Sequence, residues 1–476
     1  LEFRRVLFRS LETMYSTVCW IPKGCSARKP TRAIPTAAEI AEYKKVIAEQ
    51  NQTDALRESE EFHDAEVEES GVVQGIMGDN IPLDSLDPTK DPNIALPEEE
   101  WDSESDDDLD IRPTDCILMA AKSEEEQSSL EFHVYDEETG NFYLHHDILL
   151  AAYPLSLEWL DCYPHEVDNA NGHPCGSYVA VGTFRPEIEI WNTDVIDVME
   201  PECVLGGLVG GRKRALKAGS HRQAVMGLSW NHEYRNILAS SSADTTVKLW
   251  DIPTQRCSVT LNHHKDKVPC VSFHPREANI LLTAGFDRLL AVTDGRSPTN
   301  GTWFGIPAVP ESACWDPFDA YGVWVATESG DCVRYDVRQS QQPLWSQKTH
   351  AGSCTAIAPN AAVAQLVATS GEDGFVRVWR CGEKMELVGE RKMQMENVFC
   401  CRFFASAPHL LAACGASQEL CLWDLREIDV VREALERPAE VSAEKLVFEA
   451  SENAKGTLND ARKKKKIGRA SCRERV

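Results

Sequence analysis

The sequence predicts an all-β fold: a seven-bladed β-propeller preceded by an acidic, partly disordered N-terminal arm with one short helix. Three observations lead to this prediction. Short apolar runs recur along residues 114–432, most of these runs end in an aromatic residue, and one polar set returns at fixed offsets in three of them. Self-similarity at a fixed period is the sequence signature of a repeat architecture.

The period identifies the type of repeat. The seven runs end at Tyr135, Trp191, Trp250, Thr293, Tyr335, Trp379 and Trp423. The last five positions are 43, 42, 44 and 44 residues apart, whereas the first two gaps are 56 and 59 because each holds a polar insertion. A period of about 40–45 residues with four short strands per unit is typical of WD40 propellers. Seven such units close a ring and leave only short, protected sheet edges.

Three repeats share a polar pattern that predicts a buried chain of hydrogen bonds. In each, a histidine precedes an aspartate by 23 residues, and a serine or threonine lies four residues before that aspartate. An indole N–H only donates and a carboxylate only accepts, so the chain runs from Trp through hydroxyl and imidazole to Asp. The predicted sets are His221, Ser240, Asp244 and Trp250; His264, Thr283 and Asp287, with Thr293 in place of the indole; and His350, Thr369, Asp373 and Trp379.

The recurrence indicates a structural rather than a catalytic role for these sets. A Ser-His-Asp triad occurs once, beside an oxyanion site, whereas this pattern occurs three times. The sequence holds no Gly-rich phosphate loop and no His-Glu-x-x-His motif. We therefore expect a non-catalytic protein with no cofactor, no metal site and no small-molecule substrate. Three other blades lack the aspartate, and we expect apolar packing alone to hold them: those of Trp191, Tyr335 and Trp423.

Composition narrows the class of protein further. The formal net charge is −27, and 17 cysteines are present without Cys-x-x-Cys spacing, which argues against a zinc site. Cysteines scattered in apolar runs behave as small hydrophobic residues and favour a reducing, intracellular compartment. No run approaches 18 apolar residues, so we expect no membrane span.

The two ends of the chain have an unusual relationship. Residues 7–10 can be encoded by the complement of a sequence that encodes residues 466–470, so both ends resemble translations of one oligonucleotide. We expect residues 1–13 and 466–476 to be artefacts that carry no information on the fold, with Met14 as the true start. The remainder divides into an arm at 14–113, a propeller at 114–432 and a C-terminal tail at 433–465.

The arm begins with a strand-like run, residues 14–21, that either docks onto the propeller or anchors a partner. A capping box at Thr36–Glu39 predicts a short amphipathic helix that ends near Gln52. Between Leu96 and Asp110, nine of fifteen residues are acidic and none is basic, so this stretch cannot fold alone. It serves either as a solubilising tail or as a binding arm for basic proteins. Ser103 and Ser105 lie among these acids and are candidate sites for an acid-directed kinase.

An insertion before the third blade has the opposite charge. Four glycines at 206–211 precede four cations within six residues: Arg212, Lys213, Arg214 and Lys217. Flexible clusters of this kind bind phosphate, as in RNA, or act in nuclear import. A solvated surface loop is the alternative.

Two runs, Phe142–Leu160 and Ile237–Asp251, resemble the periodic tryptophan protein 1 family. The acidic region behind an aromatic run and the basic insertion are also similar, and the resemblance covers residues 14–432. It implies a nuclear and nucleolar protein of ribosome biogenesis that acts in maturation of the large-subunit precursor and its ribosomal RNA. Pre-ribosomal proteins and pre-rRNA are then the expected partners.

Two alternatives remain open at this point. Animal members of that family are linked to chromatin at ribosomal DNA, so the acidic arm is also compatible with a histone-binding protein. The run Leu422–Arg426 fits the Trp-Asp-x-Arg box of substrate receptors of cullin-type ubiquitin ligases, and Tyr335–Arg338 is a looser match.

Overall fold

The computed structural model describes residues 13–33, 110–124, 127–164, 176–209, 215–339, 342–382, 384–417 and 419–435. Within these ranges, consecutive antiparallel strands form seven sheets, which are the blades of a propeller. All seven positions that mark the period lie in the third strand of a blade, counted outward from the axis. The predicted seven-bladed propeller is confirmed.

The first half of the ring contains three four-stranded blades. Blade 1 consists of β1 (Thr13–Ile21), β3 (Cys116–Glu124), β4 (Ser128–Tyr135) and β5 (Phe142–Leu150). Blade 2 consists of β6 (Pro154–Leu160), β7 (Tyr178–Thr183), β8 (Glu187–Asn192) and β10 (Cys203–Gly206). Blade 3 consists of β13 (Val225–Trp230), β14 (Ile237–Ser242), β15 (Val247–Asp251) and β16 (Arg256–Leu261). Two small pairs lie outside the blades: β2 (Thr31–Arg32) with β9 (Val195–Ile196), and β11 (Leu208–Val209) with β12 (Ala215–Leu216).

The second half contains four blades. Blade 4 consists of β17 (Cys270–Phe273), β18 (Ile280–Ala284), β19 (Leu289–Asp294) and β20 (Ser297–Gly305). Blade 5 consists of β21 (Pro310–Trp315), β22 (Gly322–Thr327), β23 (Asp331–Asp336) and β24 (Trp345–Lys348). Blade 6 consists of β25 (Cys354–Pro359), β26 (Leu366–Gly371), β27 (Phe375–Cys381) and β28 (Met385–Lys392). In the described part of the chain, blade 7 has three strands, β29 (Val398–Phe404), β30 (Ala407–Gly415) and β31 (Cys421–Asp424), followed by a 3-10 turn (Leu425–Glu427) and helix α1 (Asp429–Leu435).

Strand β1 is the innermost strand of blade 1. It pairs antiparallel with β3, from Thr13 opposite Glu124 to Ile21 opposite Ile117. Its side chains are apolar on both faces: Val18 packs into the cluster shared with blade 7, and Ile21 into the cluster shared with blade 2. Of the two roles considered for this run, the structure shows docking. The propeller therefore starts before the predicted boundary at residue 114, because the sheet pairs segments that are far apart in the chain.

Both ends of the arm are fixed at one side of blades 1 and 2. On the way out, the backbone N–H of Ala27 donates to Asp194 over 2.7 Å, and β2 pairs in parallel with β9. On the return, the backbone N–H of Ile111 donates to the carbonyl of Arg28 over 2.8 Å. The acidic segment is thus an insertion between the first two strands of blade 1. The predicted helix near 36–52, together with Ser103 and Ser105, lies outside the described residues.

This arrangement predicts different effects for two deletions. Joining Ala33 to Asp110 through a short Gly-Ser linker removes the acidic insertion but no blade strand, so we expect the thermal midpoint to change by less than about 3 °C. Removing residues 13–33 instead deletes the inner strand and leaves the edge of β3 and its apolar side chains exposed. We expect that chain not to fold cooperatively. Thermal unfolding followed by circular dichroism compares the two, and a large destabilisation by the first deletion would contradict this reading.

The ring closes between blades 7 and 1 by side-chain packing. Trp20 of β1 stacks on Phe404 of β29 with ring centroids 4.5 Å apart, and its indole N–H donates to the carbonyl of Arg402 over 3.2 Å. After β31 the chain turns into α1, which buries Val431 in the cluster between blades 6 and 7. No helix in the described part of the chain is long and apolar enough to cross a membrane.

Candidate interaction surfaces

Blade 3 contains the complete predicted chain of hydrogen bonds. The indole N–H of Trp250 donates to Ser240 Oγ over 2.8 Å, and Ser240 Oγ lies 2.7 Å from His221 Nε2. His221 Nδ1 lies 3.1 Å from Asp244, which also accepts the backbone N–H of Arg222 over 2.8 Å. His221 is fully buried. The chain therefore ties together the second and third strands of the blade and the loop that precedes its first strand.

Blade 6 repeats this geometry and adds a cation. The indole of Trp379 donates to Thr369 Oγ1 over 2.9 Å, and His350 lies 2.9 Å both from that oxygen and from Asp373. Arg377 forms an ion pair with Asp373 over 2.9 Å. Burial alone would raise the pKa of Asp373, but hydrogen bonds from Arg377 and His350 lower it to about 2. The carboxylate therefore stays charged at neutral pH.

Blade 4 replaces the indole with a second imidazole. His264 Nδ1 lies 3.1 Å from Asp287, and its Nε2 lies 2.9 Å from Thr283 Oγ1, as predicted. His263 Nε2 lies 3.0 Å from the same hydroxyl oxygen. Because the carboxylate only accepts, His264 donates to Asp287 and Thr283 donates to His264, so Thr283 accepts from His263. His263 thus replaces the indole N–H donor that is absent in this blade, where Thr293 stands in place of the tryptophan. The sequence pattern did not identify His263 because its position is not one of those that recur in the three repeats.

The buried histidines are expected to make stability depend on pH. Burial lowers the pKa of His221, His264 and His350, and burial together with the neighbouring His264 lowers that of His263 to about 4. These groups are neutral in the native state and take up protons near pH 6.5 when unfolded. Their contribution is therefore complete above about pH 6.5 and is lost as the pH falls toward the native pKa.

A substitution of His263 tests this dependence. His263→Gln keeps an N–H donor for Thr283 but removes the titrating group. Between about pH 6 and pH 4.5 we expect the unfolding free energy of the variant to fall less steeply, by up to about 1.4 kcal/mol per pH unit. Urea unfolding at pH 7.5, 6 and 5 measures the slope, with the exposed His232→Gln as control. Identical slopes for His263→Gln and the unchanged protein would contradict the role assigned to His263.

Two of the blades without the predicted aspartate hold other polar contacts. In blade 5, Arg334 pairs with Asp316 over 2.6 Å, and its guanidinium carbon lies 4.3 Å from the ring centroid of Trp324. In blade 2, the indole of Trp191 donates to Glu189 over 3.2 Å. The expectation that apolar packing alone holds these blades is wrong for both. Burying a tryptophan requires a partner for its N–H, and here a carboxylate takes the place of the hydroxyl.

The Trp-Asp-x-Arg matches form local ion pairs. Arg426 pairs with Asp424, and Arg338 pairs with Asp336 over 2.8 Å. A third such pair joins Arg296 to Asp294 over 2.8 Å, in a blade where threonine replaces the tryptophan. In each case the arginine lies two residues after the aspartate and binds it through the side chain and the backbone N–H. The recurrence in three blades indicates a structural turn.

The acidic arm and the basic insertion emerge on opposite faces of the disc. In an antiparallel blade, the turn between the first and second strands lies at one end of the sheet, and the connection from the fourth strand to the next blade lies at the other. The arm is the first kind of connection in blade 1, and the basic insertion is the second kind, between blades 2 and 3. The two insertions of opposite charge therefore leave the propeller at opposite faces.

The basic insertion is built on a β-hairpin. Leu208 pairs with Leu216 and Val209 with Ala215. Gly206 and Gly207 have φ values of 76° and 84°, which favour glycine, and lead the chain from β10 into the hairpin. Lys217 is exposed beside it. The other three predicted cations, Arg212, Lys213 and Arg214, lie outside the described residues.

The inner strands enclose a cavity of about 720 Å³ along the axis. Its lining includes Glu311, Glu328, Glu372, Arg402 and Cys400. A hydrogen bond from Cys414, together with the charge of Arg402, lowers the pKa of the Cys400 thiol to about 5. The lining residues that the structure describes include no histidine that could act as the base of a nucleophilic site. Among the described residues, no group of His, Cys, Asp and Glu side chains is placed to hold a metal ion.

Comparison with known proteins agrees with the repeat. The family described as WD domain, G-beta repeat matches residues 214–251, 255–294 and 341–380, the three blades that hold the histidine–aspartate pairs. An uncharacterized WD repeat-containing protein of Schizosaccharomyces pombe is 34% identical over 73% of this chain and 68% of its own length. The periodic tryptophan protein 1 homolog of Drosophila melanogaster is 28% identical over 85% of this chain and 92% of its own.

A third relative covers the chain equally well. Periodic tryptophan protein 1 of Saccharomyces cerevisiae is 26% identical over 87% of this chain and 88% of its own length. The match covers most of both chains, and the propeller is a multi-bladed platform. The chain belongs to the periodic tryptophan protein 1 family of WD-repeat scaffold proteins.

Proposed function

We propose that this protein is a non-catalytic assembly factor of ribosome biogenesis that acts in the nucleus and nucleolus on the large-subunit precursor and its rRNA. The observation that carries the proposal is that the acidic insertion and the basic hairpin leave the propeller at opposite faces of the disc. A particle built from anionic RNA and basic proteins offers a complementary partner to each face. The family named by the similar proteins is consistent with this role.

The basic hairpin fits the RNA component. Three of its four cations lie between its two strands in the sequence, and Lys217 follows the second strand. Contacts between Lys or Arg and phosphate release counterions and give affinity without base specificity. A pre-rRNA segment is therefore the partner proposed for this face.

The acidic insertion fits basic proteins. Both of its ends are held beside blades 1 and 2, at one face of the disc. Contacts at two faces raise the overall affinity through effective concentration, even when each contact is weak. Pre-ribosomal proteins with basic surfaces are the proposed partners of the acidic insertion.

Gradient sedimentation of tagged protein from nuclear extract tests the proposal. We expect co-migration with large-subunit precursor RNA and loss of that co-migration after ribonuclease treatment. A light fraction without precursor RNA would contradict the proposal. Two variants separate the contributions of the basic hairpin and the acidic insertion to this co-migration: replacement of the four hairpin cations by alanine, and deletion of residues 34–109.

A histone-binding protein at ribosomal DNA is the second candidate, because the acidic insertion suits histone tails as well as ribosomal proteins. Histones that co-migrate with the protein in the light fraction would favour the histone-binding role, provided that they remain after ribonuclease treatment and are lost when residues 34–109 are deleted. The ubiquitin-ligase alternative predicts a ligase adaptor in that fraction instead. The pairing of Arg338 and Arg426 with their own aspartates gives that alternative no specific support.

A further inference from the structure

Blade 7 has a free edge in the described part of the chain. Its outermost strand, β31, pairs with β30 along one side, from Leu410 opposite Asp424 to Ala413 opposite Cys421. None of the described residues pairs with its other side, where the other six blades each have a fourth strand. An unpaired strand edge presents N–H and C=O groups in the spacing that another strand matches.

The surroundings of this edge are apolar. Trp423 packs into the cluster between blades 6 and 7, whereas Leu422 packs against the cluster between blades 7 and 1. On blade 1, Phe142 packs against the latter cluster, and Leu144, two residues further along β5, is 49% exposed. Side chains two residues apart lie on the same face of a strand. Leu144 therefore lies on the face of blade 1 that borders the position of the absent strand.

We propose that Lys445–Glu449, in the C-terminal segment of this same chain, occupies the free edge of β31 as the fourth strand of blade 7. Leu446, Val447 and Phe448 form the longest apolar run beyond Leu435, in a segment otherwise rich in charge. β-branched and aromatic residues suit a half-buried strand. A strand at this edge would pack one face toward blade 6 and the other toward Leu144 of blade 1.

The position at which α1 ends makes this segment the favoured occupant. The helix is fixed to the propeller through Val431, and residues 436–444 connect it to the proposed strand. An extended connection of that length reaches on the order of 30 Å, more than the roughly 13 Å length of a four-residue strand. In the proposed arrangement, the segment that follows α1 pairs antiparallel with β31.

The covalent connection to α1 favours this segment over a strand from a separate protein as the occupant of the edge. A short flexible connection gives an effective concentration in the millimolar range. A strand from another protein would have to bind with a dissociation constant below that concentration to displace it. The proposal is independent of ribosome biogenesis and concerns the completion of the fold.

Hydrogen exchange in the full chain tests the proposal. Val447→Pro removes a backbone N–H and prevents regular pairing of the run. We expect amides of Cys421–Asp424 to exchange at least about tenfold faster in this variant than in the unchanged protein. Val441→Pro, in the same segment but outside the run, is the matched control and should leave their exchange unchanged. Equal exchange in Val447→Pro and the unchanged protein overturns the proposal.

A second measurement does not depend on the proline variant. A chain that ends at Leu435 should show fast exchange of the same amides, and a peptide of residues 443–451 should restore their protection. A scrambled peptide of the same composition should not. Slow exchange in the chain that ends at Leu435 would show that another element covers the edge, and the proposal would be wrong.

Discussion

Replacing His221 by alanine is expected to lower the free energy of unfolding by about 3–5 kcal/mol, because it removes the buried neutral imidazole that hydrogen-bonds the Asp244 carboxylate and leaves its partners unsatisfied. Asp244 loses the imidazole 3.1 Å away, and Ser240 loses the partner at 2.7 Å. A cavity then adds to the loss, since His221 is fully buried. Urea unfolding at pH 7.5 measures the change.

Two further variants determine whether the chain acts as a unit. Ser240→Ala removes the hydroxyl between Trp250 and His221, and the double variant with His221→Ala should be destabilised by less than the sum of the two single changes. His232→Ala, an exposed histidine in the same blade, should cost less than about 0.5 kcal/mol. Additive losses, or a cost for His221→Ala similar to that for His232→Ala, would show that no cooperative chain exists.

Replacing Arg212, Lys213, Arg214 and Lys217 together by alanine is expected to weaken binding to single-stranded pre-rRNA fragments by about tenfold to a hundredfold at low salt. Each lost phosphate contact removes about 0.7 from the slope of log affinity against log salt. Fluorescence anisotropy at several salt concentrations measures both quantities. Stability should not change, because the hairpin lies outside the blades.

Four cations elsewhere provide the control for charge. Arg256, Lys384, Arg391 and Lys392 are exposed on or beside the outer strands of blades 3 and 6, and their replacement by alanine removes the same net charge. We expect the control variant to keep most of the affinity and most of the salt slope. Equal losses in the two variants would mean that overall charge, rather than the hairpin, determines RNA binding.

The sequence predicts the blades because one position of each is chemically distinctive. The third strand ends in a residue that packs between neighbouring sheets, and six of these seven residues are aromatic, from Tyr135 to Trp423. The polar chain is predictable for the same reason, since His221, Ser240 and Asp244 keep fixed offsets within a unit whose turns are short. Local spacing is therefore enough to locate these features.

The sequence does not reveal features that depend on pairing between distant segments of the chain. It also does not reveal a side chain that takes over the role of a missing member of the repeated hydrogen-bond pattern. Strand β1 belongs to blade 1, but the arm separates it from β3, so no local period connects them. His263 supplies a hydrogen-bond donor from the position next to the repeated His264. None of the spacings shared by the three repeats identifies that position. The lack of a fourth strand for blade 7 among the described residues is equally hidden, because Trp423 marks the third strand whether or not a fourth follows.

The position of β1 also determines what a protease can release from this protein. A single cut between residues 34 and 109 would divide the polypeptide into two fragments. The smaller fragment would keep β1, whose side chains are almost all buried and whose backbone pairs with β3 along its length. The two fragments should therefore co-elute as one folded particle under native conditions and separate only on a denaturing gel. Nicked protein would then keep both halves of the acidic insertion attached to the propeller, and the same cut made in a cell would leave the scaffold assembled.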